Sequence, residues 1–109
     1  MENKWKDLSK MIVYSSGGIM SKVVQKDQLG DVTLFCMSKD TEISTHTSTR
    51  CGYVYVLEGN GIFTLEKEEI QMTPNILISM DANAKHSIIA KENTSFLLIL
   101  KSVSKNPSD

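Results

Sequence analysis

Tyr53-Val54-Tyr55-Val56-Leu57-Glu58, then Gly59-Asn60-Gly61, then Ile62-Phe63-Thr64-Leu65 is the stretch on which the fold turns. Two runs of β-branched and aromatic residues flank a glycine-bracketed break, the pattern of two strands joined by a tight reversal. Glycine supplies positive φ there at no steric cost, whereas a β-branched residue would strain the turn. The stretch therefore reads as a hairpin, Tyr53–Glu58 with Ile62–Leu65. Alternation puts Val54 and Val56 on one face of the first strand, with Tyr53 and Tyr55 on the other.

Outward from this stretch the signals remain those of short strands. Toward the N-terminus, Met11–Tyr14 precedes the turn cluster Ser15-Ser16-Gly17-Gly18, Ile19–Val24 alternates, Gln25–Gly30 is a polar break, and Val32–Met37 is β-branched and aromatic. Toward the C-terminus, Glu66-Lys67-Glu68-Glu69 makes a tight turn before Ile70–Met72. Thr73-Pro74-Asn75 breaks the chain, and Ile76–Met80, Ser87–Ala90 and Ser95–Leu100 complete the set. The run Phe96–Leu100 is continuously apolar and is expected to be buried on both faces. Eight or nine short strands with turns every eight to twelve residues, and no helical period, predict an all-β sandwich or barrel. The expected organisation is a polar arm over residues 1–10, one barrel domain over 11–101 and a polar tail over 102–109.

Composition narrows the function. A chain of 109 residues makes one domain, and its 40% hydrophobic content is ordinary for a globular protein. A net charge of -1 gives no basic surplus to neutralise phosphates, so nucleic acid is not an expected partner. No apolar stretch approaches the roughly 20 residues of a membrane helix. The start Met1-Glu2-Asn3-Lys4-Trp5-Lys6 does not read as a signal peptide, so a cytoplasmic protein with reduced Cys36 and Cys51 is expected.

The two histidines carry the chemistry. His46 lies in Glu42-Ile43-Ser44-Thr45-His46-Thr47-Ser48, and His86 in Asp81-Ala82-Asn83-Ala84-Lys85-His86-Ser87-Ile88. Their spacing resembles the two motifs of the cupins, small double-stranded β-helix (jelly-roll) barrels. The first motif falls on Asp40, His46, Ser48, Gly52 and Gly59; the second falls on Asn75, Asp81, Asn83, His86 and Ala90. His46, Gly59 and His86 match the motif residues. Tyr55–Gly61 looks like the usual cupin hairpin, and Ala82-Asn83 looks like the usual approach to the last histidine. The resemblance covers residues 30–101 and implies a jelly-roll barrel with both imidazoles aimed at one interior.

What it implies chemically is a site of three imidazoles and one carboxylate, which suits iron, manganese, nickel or zinc. Here the second histidine is Ser48 and the glutamate is Gly52. His46 and His86 are thus the candidate metal ligands, with affinity expected to fall by orders of magnitude. Cys36, if it faces inward, or Cys51, if a β-bulge at Gly52 turns it inward, would add a thiolate suited to a soft metal. Without metal, His46, Ser48, Val54, Val56, Thr64, Met80 and His86 form the candidate pocket for a small polar molecule, with Ser44 a further polar neighbour. Asp40, Glu42, Glu58 and Asp81 fall at turns and read as solvated. The leading expectation is a cytoplasmic, homodimeric small-molecule-binding cupin with no established cofactor. The alternatives are a metal-dependent dioxygenase or isomerase built on His46 and His86, and a structural protein with a filled interior.

Overall fold

The computed structural model describes residues 4–103. Nine strands form among them: β1 (Ile19–Asp27), β2 (Gly30–Met37), β3 (Glu42–His46), β4 (Gly52–Glu58), β5 (Gly61–Leu65), β6 (Glu68–Met72), β7 (Leu77–Met80), β8 (His86–Ala90) and β9 (Thr94–Lys101). They make a five-stranded sheet in the order β1-β2-β9-β4-β7 and a four-stranded sheet in the order β3-β8-β5-β6. The pairings nest around one turn: β5 with β6, β4 with β7, β3 with β8, β2 with β9, all antiparallel. Only β1–β2 and β5–β6 are sequential hairpins; every other connection passes from one sheet to the other. This is the expected jelly roll.

Alternation along the strands builds the core between the sheets. Met37, Val54, Val56, Ile78, Met80 and Phe96 of the larger sheet meet Phe63, Met72, Ile88 and Ala90 of the smaller one, all buried. Phe35 stacks on Phe96 with centroids 5.1 Å apart. Full burial of each large side chain stabilises by about 1.5–3 kcal/mol.

The structure corrects several readings. Tyr53–Glu58 and Ile62–Leu65 do not pair with each other: β4 lies between β9 and β7, and β5 between β8 and β6. Gly59-Asn60-Gly61 is instead a corner where the chain changes sheets. Gly59 has φ +111°, and a Cβ there would run into Asn93 O and Thr94 Cα. The buried Thr94 Oγ1 accepts the Asn60 N–H at 3.1 Å, and Lys91 N and Glu92 N both donate to Asn60 O. A hairpin and a sheet-crossing corner share the same local signal, and only the long-range pairing distinguishes them. Met11–Tyr14 is not a strand; it follows a 3-10 turn at Leu8–Lys10 without regular structure of its own. Gln25–Asp27 belongs to β1 rather than to a polar break. Phe96–Leu100 is not buried on both faces: Phe96 is core, whereas Leu97 and Ile99 of the outer row are half-buried. The expected tail lies outside the described residues beyond position 103.

Because the corner uses the backbone of Asn60 and the missing side chain of Gly59, Gly59→Ala is expected to cost about 2 kcal/mol or more in urea denaturation. Asn60→Ala should stay within about 0.5 kcal/mol, being a surface change that keeps the corner's backbone hydrogen bonds.

Candidate functional site

β3 and β8 pair so that His46 stands opposite His86. The ladder slips between Ile43 and His46, and this irregularity brings the two ring-bearing residues into register. The ring centroids are 4.1 Å apart with the planes at 62°, an edge-on arrangement. The loops following β3 and preceding β8 are tied together, since Asn83 N–H donates to Ser48 O at 2.6 Å. Asn83 sits at φ 68°, a left-handed conformation asparagine tolerates better than most residues.

Each imidazole is oriented by its own strand end. His46 Nδ1 lies 2.8 Å from Ser44 O, and His86 Nδ1 lies 3.0 Å from Ala84 O. A carbonyl oxygen can only accept, so each Nδ1 carries the proton and donates it. In the neutral rings this leaves Nε2 bare on both residues, one acceptor on each of two adjacent rings. Phe63 lies parallel to the His86 ring, with centroids 5.7 Å apart. His86 is 7% exposed, whereas His46 is exposed to solvent. Burial pushes the His86 pKa below the ordinary histidine value; the Ala84 carbonyl opposes this, and the neighbouring His46 adds to it.

The other candidates divide. Ser48 is half-buried, and its hydroxyl accepts Arg50 N–H at 3.2 Å as part of its own turn. Val54, Val56 and Met80 are packed into the core cluster of the larger sheet. Thr64 alternates with Phe63, which is core, and Leu65, which packs on the core, so its side chain stands on the outer face of the smaller sheet. It does not share a face with the histidines. Sequence reasoning missed Phe63 as a neighbour of His86 and the two carbonyl orienters. Alternation directs Phe63 inward, but nothing in the sequence says which ring it meets.

The metal implied by the resemblance fails on the donor set. Among the described residues, no three His, Cys, Asp or Glu side chains converge. Cys36 lies on the outer face, since its neighbours Phe35 and Met37 are the ones that pack in the core. Cys51 is exposed, and the bulge of β4 falls at Leu57 rather than Gly52. Gly52 is more than a missing carboxylate. A Cβ there would collide with Ile99 O and come within 3.0 Å of Leu100 Cα. A side chain at position 52 would thus start out against the backbone of β9. Gly52→Ala is therefore expected to lower stability by about 2 kcal/mol or more in urea denaturation. Gly52→Glu should bind no more zinc or nickel than the unaltered chain by elemental analysis. A stable Gly52→Glu variant that retains one metal per chain would contradict this reading.

Comparison with known proteins agrees with the architecture. None of the curated proteins matches the chain. Among solved structures, it is similar to a conserved Streptococcus pyogenes protein of unknown function, at 24% identity and a TM-score of 0.83, over 95% of this chain and 91% of that one. It is also similar to a cupin superfamily protein from Desulfitobacterium hafniense, at 18% identity and a TM-score of 0.81, over 88% of each chain. A third likeness is KdgF from a Halomonas species, at 17% identity and a TM-score of 0.74, over 95% of this chain and 90% of that one. At such identities these likenesses speak for the fold alone. The family model of the cupin domain matches residues 33–100, and with the nested jelly roll already described, the chain belongs to the cupin family.

Proposed function

We propose that this cupin binds a small polar molecule through the His46–His86 pair, without a metal. The observation that supports this reading best is the hydrogen-bonding pattern the two rings share. Both spend Nδ1–H on a backbone carbonyl and keep Nε2 free, within a centroid separation of 4.1 Å. Two bare acceptors beside one another suit a ligand that brings donors, such as a hydroxyl-rich molecule or a primary ammonium. A carboxylate would need the rings protonated, and burial of His86 works against that. The exposure of His46 gives such a ligand a route in, and the buried His86 with Phe63 behind it gives it a floor.

A dioxygenase or isomerase of the metal-dependent kind would need further ligands at Ser48 and Gly52, where a turn hydroxyl and a closed backbone stand instead. In the reading preferred here the protein acts as a binding or sensing module. No described helix is long and apolar enough to cross a membrane, and a cytoplasmic setting is part of the proposal. So is a homodimer, supported by the exposed Tyr53 and Leu77 on the outer face of the larger sheet.

Thermal-shift screening tests the ligand class. A hydroxyl- or amine-bearing hit at a hundredfold excess over its Kd is expected to raise Tm by about 10–20 °C. His46→Ala should abolish that shift while leaving the unliganded Tm within a few degrees, because its ring is exposed. A panel in which only carboxylates stabilise the protein, or in which His46→Ala keeps the full shift, would overturn the proposal. Proton linkage gives a second test. Because the folded-state value of His86 is lowered, its contribution is fully present above the unfolded value of 6.5 and is lost as pH falls through the folded value. Urea midpoints measured from about pH 7.5 down to about pH 5 should fall, and His86→Gln should flatten that part of the decline.

A further inference from the structure

A groove of about 430 Å³ opens on the outer face of the larger sheet, at the end where β4 begins and β7 and β9 finish. Register explains its composition. Gly52 is paired with Met80 on one side and with Leu100 on the other. One residue further on come Cys51, Asp81 and Lys101, whose side chains alternate to the outer face because Met80 belongs to the core. They make one row across three strands, with Lys101 N–H donating to Cys51 O at 3.0 Å. Ser79, Tyr53 and Ile99 form the next row, in direct register with one another. All six residues line the groove.

The two rows differ in character. Asp81 and Lys101 stand at opposite ends of the first, two strand spacings or about 9.5 Å apart in the backbone. Both are exposed, and among the described residues neither has an ion-pair partner; the nearby Arg50 is taken by Asp31 at 2.9 Å. The second row is an apolar platform, with Tyr53 48% exposed and Ile99 half-buried. One negative charge, one positive charge and an apolar platform beside them complement a molecule that carries an ammonium, a carboxylate and an apolar side group. The lengths agree. In an α-amino acid the ammonium nitrogen and the far carboxylate oxygen lie about 3.5 Å apart. A charge-assisted hydrogen bond of about 2.8 Å at each end extends this to nearly the span of the row. The two rows are about 6.6 Å apart, within reach of a side group the size of leucine or phenylalanine.

The geometry points to this groove as a binding site for a free α-amino acid with an apolar side chain, separate from the histidine pair. Asp81 takes the ammonium, Lys101 takes the carboxylate, and Tyr53 with Ile99 takes the side group. Cys51 then lies beneath the α-carbon. Two solvent-exposed ion pairs and one partly covered side group set a weak affinity, in the millimolar range. The charged row lies about 13 Å along the sheet from Leu77, so pairing of copies through the Leu77 end of this face does not require it.

Cys51 supplies the readout, because a ligand that bridges Asp81 and Lys101 covers its thiol; the buried Cys36 is the internal reference. Alkylation by iodoacetamide under native conditions is followed by mass spectrometry at increasing L-leucine. Leucine should slow Cys51 saturably, by more than half, and leave Cys36 unchanged. Leucinamide, which lacks the carboxylate, and isocaproate, which lacks the ammonium, should each protect several times more weakly. Asp81→Asn and Lys101→Gln, both at the surface, should each raise the leucine concentration for half-protection about fivefold. Half-protection is read within each variant, so a change in the intrinsic thiol rate does not enter. Absence of protection into the tens of millimolar would overturn the proposal, as would half-protection unchanged in both variants. Equal protection by leucinamide or isocaproate would do the same. So would a Cys51 rate that rises on dilution without ligand, the mark of a second copy filling the groove.

Discussion

The pairing of β9 with strands on both of its edges is the constraint on which the rest depends. Its residues run from Thr94 to Lys101, and nearly every one meets a different requirement. Thr94 pins the corner at Gly59-Asn60. Ser95 is fully buried opposite Cys36 of β2. Phe96 and Leu98 supply the core, Phe96 stacked on Phe35. Ile99 O and Leu100 Cα close over Gly52, and Lys101 N–H donates to Cys51 O. The run Phe96–Leu100 packs its inner row on the core and leaves Leu97 and Ile99 half-buried on the outer face.

The same closure decides the chemistry. A metal site lost by side-chain substitution could be regained by the reverse substitution, but here the position of the carboxylate has been taken by backbone. What survives is the pair of imidazoles on the opposite sheet, whose orientation does not depend on β4. Each is held by the carbonyl two residues before it in its own strand or its approach, Ser44 for His46 and Ala84 for His86. The orienters that would tune metal ligands by fixing which nitrogen is free therefore remain in place. With no carboxylate at position 52, the reading proposed here is that the same arrangement serves hydrogen-bond acceptance.

Much of this was legible in the sequence. The strand runs, the motif spacing and the meeting of His46 with His86 all followed from residue pattern and resemblance. The inward direction of Val54 and Val56 came from alternation alone. What the sequence could not carry was anything set by pairing between distant strands. Gly59-Asn60-Gly61 has the composition of a hairpin turn yet joins two sheets, because β9 and β8, both far along the chain, claim the edges that β4 and β5 would have offered each other. Thr64 was assigned to the pocket by its polarity, whereas its register beside Phe63 places it outside. Cys36 could have faced either way from local sequence; the packing of Phe35 and Met37 decided it. Met11–Tyr14 has strand composition but pairs with no strand.

The central claim is that His46 and His86 both donate Nδ1–H to a backbone carbonyl, so that the neutral form of each ring keeps a free acceptor at Nε2. Long-range proton–nitrogen correlation NMR of the imidazole rings at neutral pH measures this directly. The account predicts that the neutral form of both rings carries its proton on Nδ1, with Nε2 the atom whose shift moves when a hydroxyl- or amine-bearing ligand is added. Finding either ring as the opposite tautomer, or His86 as an imidazolium at that pH, would contradict it.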